Sequence, residues 1–288
     1  MKSTLYDVLK NRNGHDRDQY IKFYEEGHKY EILLDLDSKY TSVTTWNHSH
    51  FPKFDADKII SSMMKGKNWN INHKYWGLSP EEIKAKWDDN KNSVAGAGTD
   101  MHYEIECFMN NNYFQSNFEY THKDLYDFYN YSIDKEEHIN KPIEWQYFIE
   151  FVKNTPHLKP YRTEWMVYDE DVKLSGSIDM VYENPDGTLD IYDWKRAKEI
   201  NYINNWNKTA INPLINHLPD TNFWHYSLQL NTYKKILENK YGKKITNLNL
   251  IKLHPENTTN TYEILEVPIL NKELSDLFQE RKMQQIEI

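Results

Sequence analysis

Two hydrophobic periods alternate along the chain. On either side of Asn184-Pro185-Asp186-Gly187 lie runs rich in Ile, Val, Tyr, Met and Leu, with Pro set for the second turn position and Gly for the positive φ that follows. These runs predict a β-hairpin. RTEWMVYD reads as a strand before it. After it come a helix near residues 222–240, strands at LNLIKLH and TYEILEVP, and a last helix from about Lys272. Upstream, Met101, Ile105, Phe108 and Met109 recur at helical spacing behind Gly96-Ala97-Gly98-Thr99, with Thr99 placed to cap that helix. Residues 123–153 read as a helical insertion. In the N-terminal third, HKYEILLD and YTSVTTW predict a strand or hairpin and residues 55–65 a helix. SPEEIKAKWDD predicts another, with Ser79 capping, Pro80 in the first turn and Glu82 completing a capping box. The order helix, three strands, helix, strand, strand implies an α/β core with a mixed sheet. We divide the chain into an accessory region, 1–92, packed on a core, 93–288.

The hairpin carries an electrostatic conflict. Asp179 and Asp193 lie equally far on either side of Asp186, so an antiparallel pairing sets them opposite each other, within one residue of register. Facing carboxylates at Cβ separations of about 4.5–5.5 Å destabilise a sheet. A divalent cation with oxygen ligands would compensate. Strand alternation puts Lys195 on the face of Asp193 and Trp194 on the other, giving a patch of two carboxylates and an ammonium. Such a patch either binds Mg²⁺ or Mn²⁺, with Lys195 holding a water or neutralising developing charge, or is a solvated ion pair.

Three further places carry candidate chemistry. His102 lies on the helix of Met101 and Ile105, with Glu106 one turn on along the same face; it is either a half-buried histidine or a nitrogen ligand that tilts the metal preference toward Mn²⁺. Glu164, central in the strand before the hairpin, is either an edge charge or an additional acid. Gln229 and Tyr233 are one turn apart on the helix of YSLQLNTY, positioned for substrate contact or for core packing.

Composition narrows the function classes. One cysteine, Cys107, excludes internal disulfides, a Cys-rich zinc site and an iron–sulfur cluster. A net charge of −9 disfavours general nucleic-acid affinity, so such binding would use local groups such as Lys195, Arg196 and Lys198, or Lys65 and Lys67. No apolar run approaches the roughly 20 residues that span a bilayer, and the N-terminus lacks a signal-like apolar segment. The expectation is a soluble intracellular protein without membrane contact, in the cytoplasm or at a nucleoid or viral replication site, with an organelle left open.

Together GTDMH, GSIDMV, IYDWK and QLNTY resemble, in order, the GTxxH, G-x-[IVL]-D, [DE]-x-K and QxxxY motifs of the PD-(D/E)XK nuclease superfamily, and in particular its RecB-like exonuclease branch. TSVTTW followed by FPKFDADKII is similar to the lead-in of the mitochondrial genome maintenance exonuclease and viral relatives, in which helices near the site guide a single strand. The resemblance implies a restriction-endonuclease-like core, a mixed central β-sheet flanked by helices, with N-terminal and inserted helical segments. It implies that Asp179 and Asp193 ligate one or two Mg²⁺ or Mn²⁺ ions with the Trp194 carbonyl and His102, and that Lys195 positions the attacking water. Gln229, Tyr233 and Arg196 would meet the substrate strand, and Glu164 or Glu106 would supply an extra acid. The activity implied is hydrolysis of DNA to 5′-phosphate ends, as an exonuclease on free ends or single strands. The alternative is a non-catalytic module on the same fold that binds DNA ends or branched DNA.

Overall fold

A computed structural model describes residues 7–114, 118–132 and 140–286. Its centre is a mixed sheet. Strand β5 (Leu174–Glu183) is flanked along one edge by β4 (Lys159–Asp169), antiparallel. Its other edge is shared. The start of β5 pairs in parallel with β3 (Thr41–Ser42), and its end pairs antiparallel with β6 (Leu189–Lys195). Beyond β6 come β7 (Ile245–Lys252), parallel to it, and the antiparallel β8 (Glu263–Glu266). The hairpin closes as its residues dictate, with the Gly187 N–H donating to the Asn184 carbonyl at 2.9 Å and Gly187 at φ +79°. A small separate hairpin, β1 (Ile21–Tyr24) and β2 (Lys29–Ile32), lies ahead of the main sheet.

A parallel step from β6 to β7 requires a crossover, and α7 (Asn222–Lys240) provides it. Leu228, Leu230 and Ile236 of α7, with Leu274 and Leu277 of α8 (Asn271–Ile286), pack on one face of the sheet against Ile178, Val181, Ile191 and Leu250. The other face is covered by α4 (Pro80–Met109), α5 (His122–Ser132) and α6 (Ile143–Asn154), whose Met101, Ile105, Phe148 and Phe151 meet Met180, Tyr182 and Trp194. The other α-helices among the described residues include α1 (Val8–Arg12), α2 (Val43–Ser49) and α3 (Ala56–Met64). The expected fold class is therefore the one observed: a mixed central sheet between helical layers. No helix among the described residues is long and apolar enough to cross a membrane.

Two local expectations fail. YTSVTTW is extended only at Thr41 and Ser42. The Ser42 side chain then accepts from the Thr45 N–H at 3.1 Å, and α2 begins. Burial of Val43 and Trp46 in the core overrides the strand preference of the β-branched residues. Thr99, expected to cap a new helix, is instead inside α4 and donates its hydroxyl proton to the Ala95 carbonyl at 3.1 Å. The Ser79–Glu82 capping box is formed as expected, but from it a single helix of 30 residues runs through Gly96 and Gly98. Each of those glycines costs about 1 kcal/mol relative to alanine, which burial of Ile83 at one end and Met101, Ile105, Phe108 and Met109 at the other offsets. The expected join between residues 92 and 93 falls in the solvent-exposed middle of this helix.

Behind the hairpin, His122 fastens the inserted helices to the sheet. Thr155 Oγ1 gives its proton to the Phe151 carbonyl at 2.6 Å, so it accepts from His122 Nδ1 at 2.8 Å, and Nε2 then accepts from the Tyr182 hydroxyl at 2.9 Å. The neutral ring is fully satisfied and a second ring proton would meet a donor. Burial pushes its pKa down from 6.5 to about 3. The unfolded chain therefore binds more protons than the folded one between those values, and stability falls as pH drops through that window. Thermal melts of wild type and His122→Gln from pH 7 to pH 4 should show a shallower acid slope in the variant. Equal slopes would mean that His122 is not held neutral in the fold.

Candidate active site

The site forms where β5 and β6 part. Their ladder ends at Met180 opposite Tyr192, which makes Asp179 and Asp193 the next facing positions. Asp179 makes no strand pair there; its Oδ2 accepts the Trp194 N–H at 3.0 Å. The alternation of β5 slips at the same point, since Ile178 and Val181 both face the α7 side while Met180 and Tyr182 face the α4 side. On the neighbouring strand, Thr163 pairs with Met180 and Trp165 with Ile178, so Glu164 stands across from Asp179. Glu164 is at φ +41°, a left-handed conformation that costs a non-glycine residue about 1–2 kcal/mol. The irregularity turns two acids from adjacent strands toward one place.

Helix α4 brings the third group. His102 Nε2 lies 3.0 Å from the Trp194 carbonyl, which can only accept, so Nε2 carries the proton. Nδ1 then faces Asp179 Oδ2 at 3.5 Å and Glu164 Oε1 at 3.9 Å. One ligand atom from each of His102, Glu164 and Asp179 lies within 4.8 Å of the others. Asp193 is buried beside this group, with Lys195 Nζ 2.6 Å from its Oδ2 and also 4.5 Å from the centre of the Tyr226 ring.

The electrostatics follow from burial and like charge. Burial, and after it Asp179, push Asp193 up to about 6, and burial with Glu164 raises Asp179. Burial opposes the imidazolium of His102, but Asp179 and Glu164 outweigh it and carry the pKa up to about 9. Lys195 follows the same balance, with Asp193 and Asp179 overcoming burial and raising its pKa. Ser177 Oγ donates to Glu164 Oε2 at 2.9 Å. One cation thus sits on each facing aspartate: His102 on Asp179, Lys195 on Asp193.

The other sequence candidates divide. Glu106, one turn beyond His102, is pushed up to about 7 by burial and then by Glu164 and Asp7, and it lines a cavity of about 180 Å³ with Glu164. Arg196 points away from the cluster, its Nε 2.6 Å from Glu144 Oε1 on α6. Gln229 is half-buried, while Tyr233 is only 3% exposed and packs under Gly176. Sequence reasoning missed three neighbours. Tyr226 lies under Lys195, and its i, i+3 spacing to Gln229 on YSLQLNTY could have shown it. His48, whose pKa is lowered by burial and then by Lys195, comes from α2. Tyr30 comes from β2, its hydroxyl raised to about 12 by burial, Glu164 and Asp179. No local sequence signal marks the last two.

The model of the PD-(D/E)XK nuclease superfamily matches residues 81–287. The chain belongs to this superfamily. No curated protein matches the sequence. Superfamily nucleases generally use divalent metals such as Mg²⁺ or Mn²⁺, and the residues here fit such an ion. Two carboxylates and an imidazole nitrogen converge from three elements, with ligand atoms within 4.8 Å of one another. Oxygen donors suit Mg²⁺, and the nitrogen donor moves the preference toward Mn²⁺.

The superfamily glycine has a packing reason in this chain. A Cβ on Gly176 would lie 2.7 Å from the Tyr233 hydroxyl and 2.8 Å from its ring, so the G-x-I-D and QxxxY motifs form one contact. Gly176→Ala should destabilise the fold by about 1–3 kcal/mol through overpacking and displace the strand that carries Asp179. Urea denaturation with a metal titration measures both; an unchanged midpoint and unchanged metal affinity would refute the contact.

Proposed function

We propose that the protein is a metal-dependent deoxyribonuclease of RecB-like type that hydrolyses phosphodiester bonds to 5′-phosphate and 3′-hydroxyl ends, acting as an exonuclease on DNA ends or single strands. The observation that carries this reading is the convergence of His102, Glu164 and Asp179 within 4.8 Å beside the Asp193–Lys195 pair.

In this reading Asp179, Glu164 and His102 Nδ1 hold the ion, with Asp193 completing the acidic side. The Trp194 carbonyl, expected from the sequence as a further ligand, accepts from His102 Nε2 at 3.0 Å and so lies on the opposite edge of the imidazole from an ion at Nδ1; it orients the ring instead of ligating that ion. A bound divalent ion supplies Lewis-acid polarisation of the scissile phosphate and a water of lowered pKa. Lys195 stands at the mouth of the pair with its ammonium fixed by Asp193 and the Tyr226 ring. It orients the attacking water and offsets the charge that grows on the phosphoryl oxygens, a preorganised contact of the kind worth about 10²–10³ in kcat. Holding the aspartate and tyrosine contacts in place before substrate arrives means that little reorganisation accompanies the reaction. Gln229, on the same face of α7 as Tyr226, is placed to contact the strand. The similarity of the N-terminal third to the mitochondrial exonuclease group supports delivery of an unpaired strand, with Phe54, Trp76 and neighbouring aromatics exposed there.

End-labelled DNA offered as single strand, duplex and closed circle, with Mg²⁺, Mn²⁺ or EDTA, tests the reading. We expect metal-dependent shortening of linear DNA, intact circles, 5′-phosphate products, and a loss of about 10²-fold or more in kcat for Lys195→Ala with DNA affinity nearly unchanged. Products ending in 3′-phosphate would overturn the mechanism, and binding without cleavage in any metal would replace it with a non-catalytic DNA-binding module.

Glu164→Gln tests the ligand set independently. It should weaken Mn²⁺ affinity measured by calorimetry while leaving the melting temperature within a few degrees, because Ser177 can still pair with the amide. Wild-type Mn²⁺ affinity in this variant would remove Glu164 from the ligands.

A further inference from the structure

Between β6 and α7 the chain makes a loop that begins directly after Lys195 and Arg196. Its apolar content is unusual in where it points: the Trp206 indole is 81% exposed and the aliphatic Ile203 77%. The loop is nonetheless closely built. Asn204 Oδ1 accepts from the Trp206 N–H at 3.0 Å and the Lys208 N–H at 2.9 Å, and Asn204 Nδ2 donates to the Lys208 carbonyl at 2.7 Å. Asn207 turns through φ +49°, and the Asp220 N–H donates to the Lys208 carbonyl at 2.8 Å. The indole therefore sits at the tip of a fixed knuckle.

The knuckle is attached to the catalytic side of the molecule. The Tyr202 ring packs at 4.0 Å on Phe223, its carbonyl accepts from Trp224 Nε1 at 3.0 Å, and Asn222 Nδ2 donates to the Glu199 carbonyl at 2.7 Å. These anchors are the first turn of α7, and Tyr226, under Lys195, is in the next. On the other side the Ile211 N–H donates to the His50 carbonyl at 2.8 Å, joining the loop to the end of α2 that carries His48.

Charge distinguishes the occupant. From residue 200 to residue 219 the sequence has no Asp or Glu, although the chain holds 44 of them and a net charge of −9. An acid-free segment beside a phosphodiester site, tipped by an exposed indole between the exposed amides of Asn205 and Asn207, suits a polyanion with accessible aromatic faces. In a duplex those faces are stacked and closed; in a single strand they are open.

We propose that Trp206 is a stacking platform for an unpaired base next to the scissile phosphate, and that it makes single-stranded nucleic acid the preferred substrate. The proposal deepens the nuclease reading and rests on it for the position of the strand. Base–aromatic stacking tolerates any sequence, so the platform selects strandedness and not base identity.

The test compares wild type, Trp206→Ala and Trp206→Phe on a single-stranded oligonucleotide and the blunt duplex of the same sequence, with affinity read by fluorescence anisotropy in Ca²⁺ and turnover in Mg²⁺ and Mn²⁺. Trp206→Ala should lose on the order of tenfold in single-strand affinity, little in duplex affinity and little in kcat at saturation. Trp206→Phe should stay near wild type. An abasic site scanned along the strand should reproduce the loss at one position in wild type and have no added effect there in Trp206→Ala. Unchanged single-strand affinity, or equal losses on both forms, would overturn the platform while leaving cleavage intact. A wild-type dimer that Trp206→Ala dissolves in sedimentation would also overturn it, by showing that a second copy covers the indole. Selective loss of single-strand affinity in a protein that cuts in neither metal would retain a strand-binding surface and reject the nuclease reading.

Discussion

The repulsion between acids gathered where β5 and β6 separate governs the arrangement around it. Two unit charges about 4 Å apart in surroundings of intermediate polarity repel by roughly 4 kcal/mol, and Asp179 has both Glu164 and Asp193 as neighbours. The fold answers each acid with a particular donor: the Trp194 N–H and His102 for Asp179, Ser177 for Glu164, and Lys195 for Asp193. These donors come from a strand, a helix and a hairpin edge, so the cluster exists only when the sheet, α4 and the β5–β6 separation are all in place. The compensation is incomplete, because three carboxylates, Asp179, Glu164 and Asp193, meet two cations, His102 and Lys195. Incomplete compensation is what a cation-binding site requires, because a fully neutralised cluster would gain nothing from an ion.

Much of this was legible because it depends on short-range rules. The turn residues located the hairpin, and its symmetry about Asp186 put Asp179 opposite Asp193, in the register that the Met180–Tyr192 pair confirms. Alternation separated Lys195 from Trp194. The Ser79 capping box marked the start of α4, yet nothing local revealed that the helix would continue through two glycines, because its continuity is enforced by burial at its two ends. The same limit applies to Glu164. Strand alternation places it on a face but does not indicate a left-handed backbone, and that conformation directs its carboxylate toward Asp179. Tyr30 and His48 arrive from separate elements, and their proximity is a property of the tertiary fold alone.

Motif residues also turn out to divide between chemistry and support. Tyr233, in a position that sequence alone leaves open between substrate contact and core packing with core packing the commoner use, is a core residue whose ring needs the space that Gly176 leaves. Gln229, one turn earlier on the same face, is half-buried and hydrogen-bonds Tyr233, so the QxxxY pair forms one contact with its outer member nearer the surface. Arg196 follows Lys195 but ties β6 to α6 through the buried Glu144. A positive residue beside an active site need not touch substrate; here its pairing keeps the end of β6 fixed, and with it the Asp193–Lys195 geometry.

The overall charge limits how such a site can attract a polyanion. A chain at −9 repels phosphates at long range, although at physiological salt the screening length is only about 8 Å. Affinity must then come from contacts made at close range. A basic surface would supply them at the cost of strong salt dependence, but here Lys195 is committed to Asp193, His102 to Asp179 and Arg196 to Glu144. Stacking is the alternative consistent with the charge, since an aromatic face attracts a base without adding to the charge balance. In the proposed reading, an acidic metal cluster for the phosphate and an uncharged aromatic for the base would divide recognition between two interactions that do not compete electrostatically, and the absence of acids between residues 200 and 219 would keep the second from undoing the first.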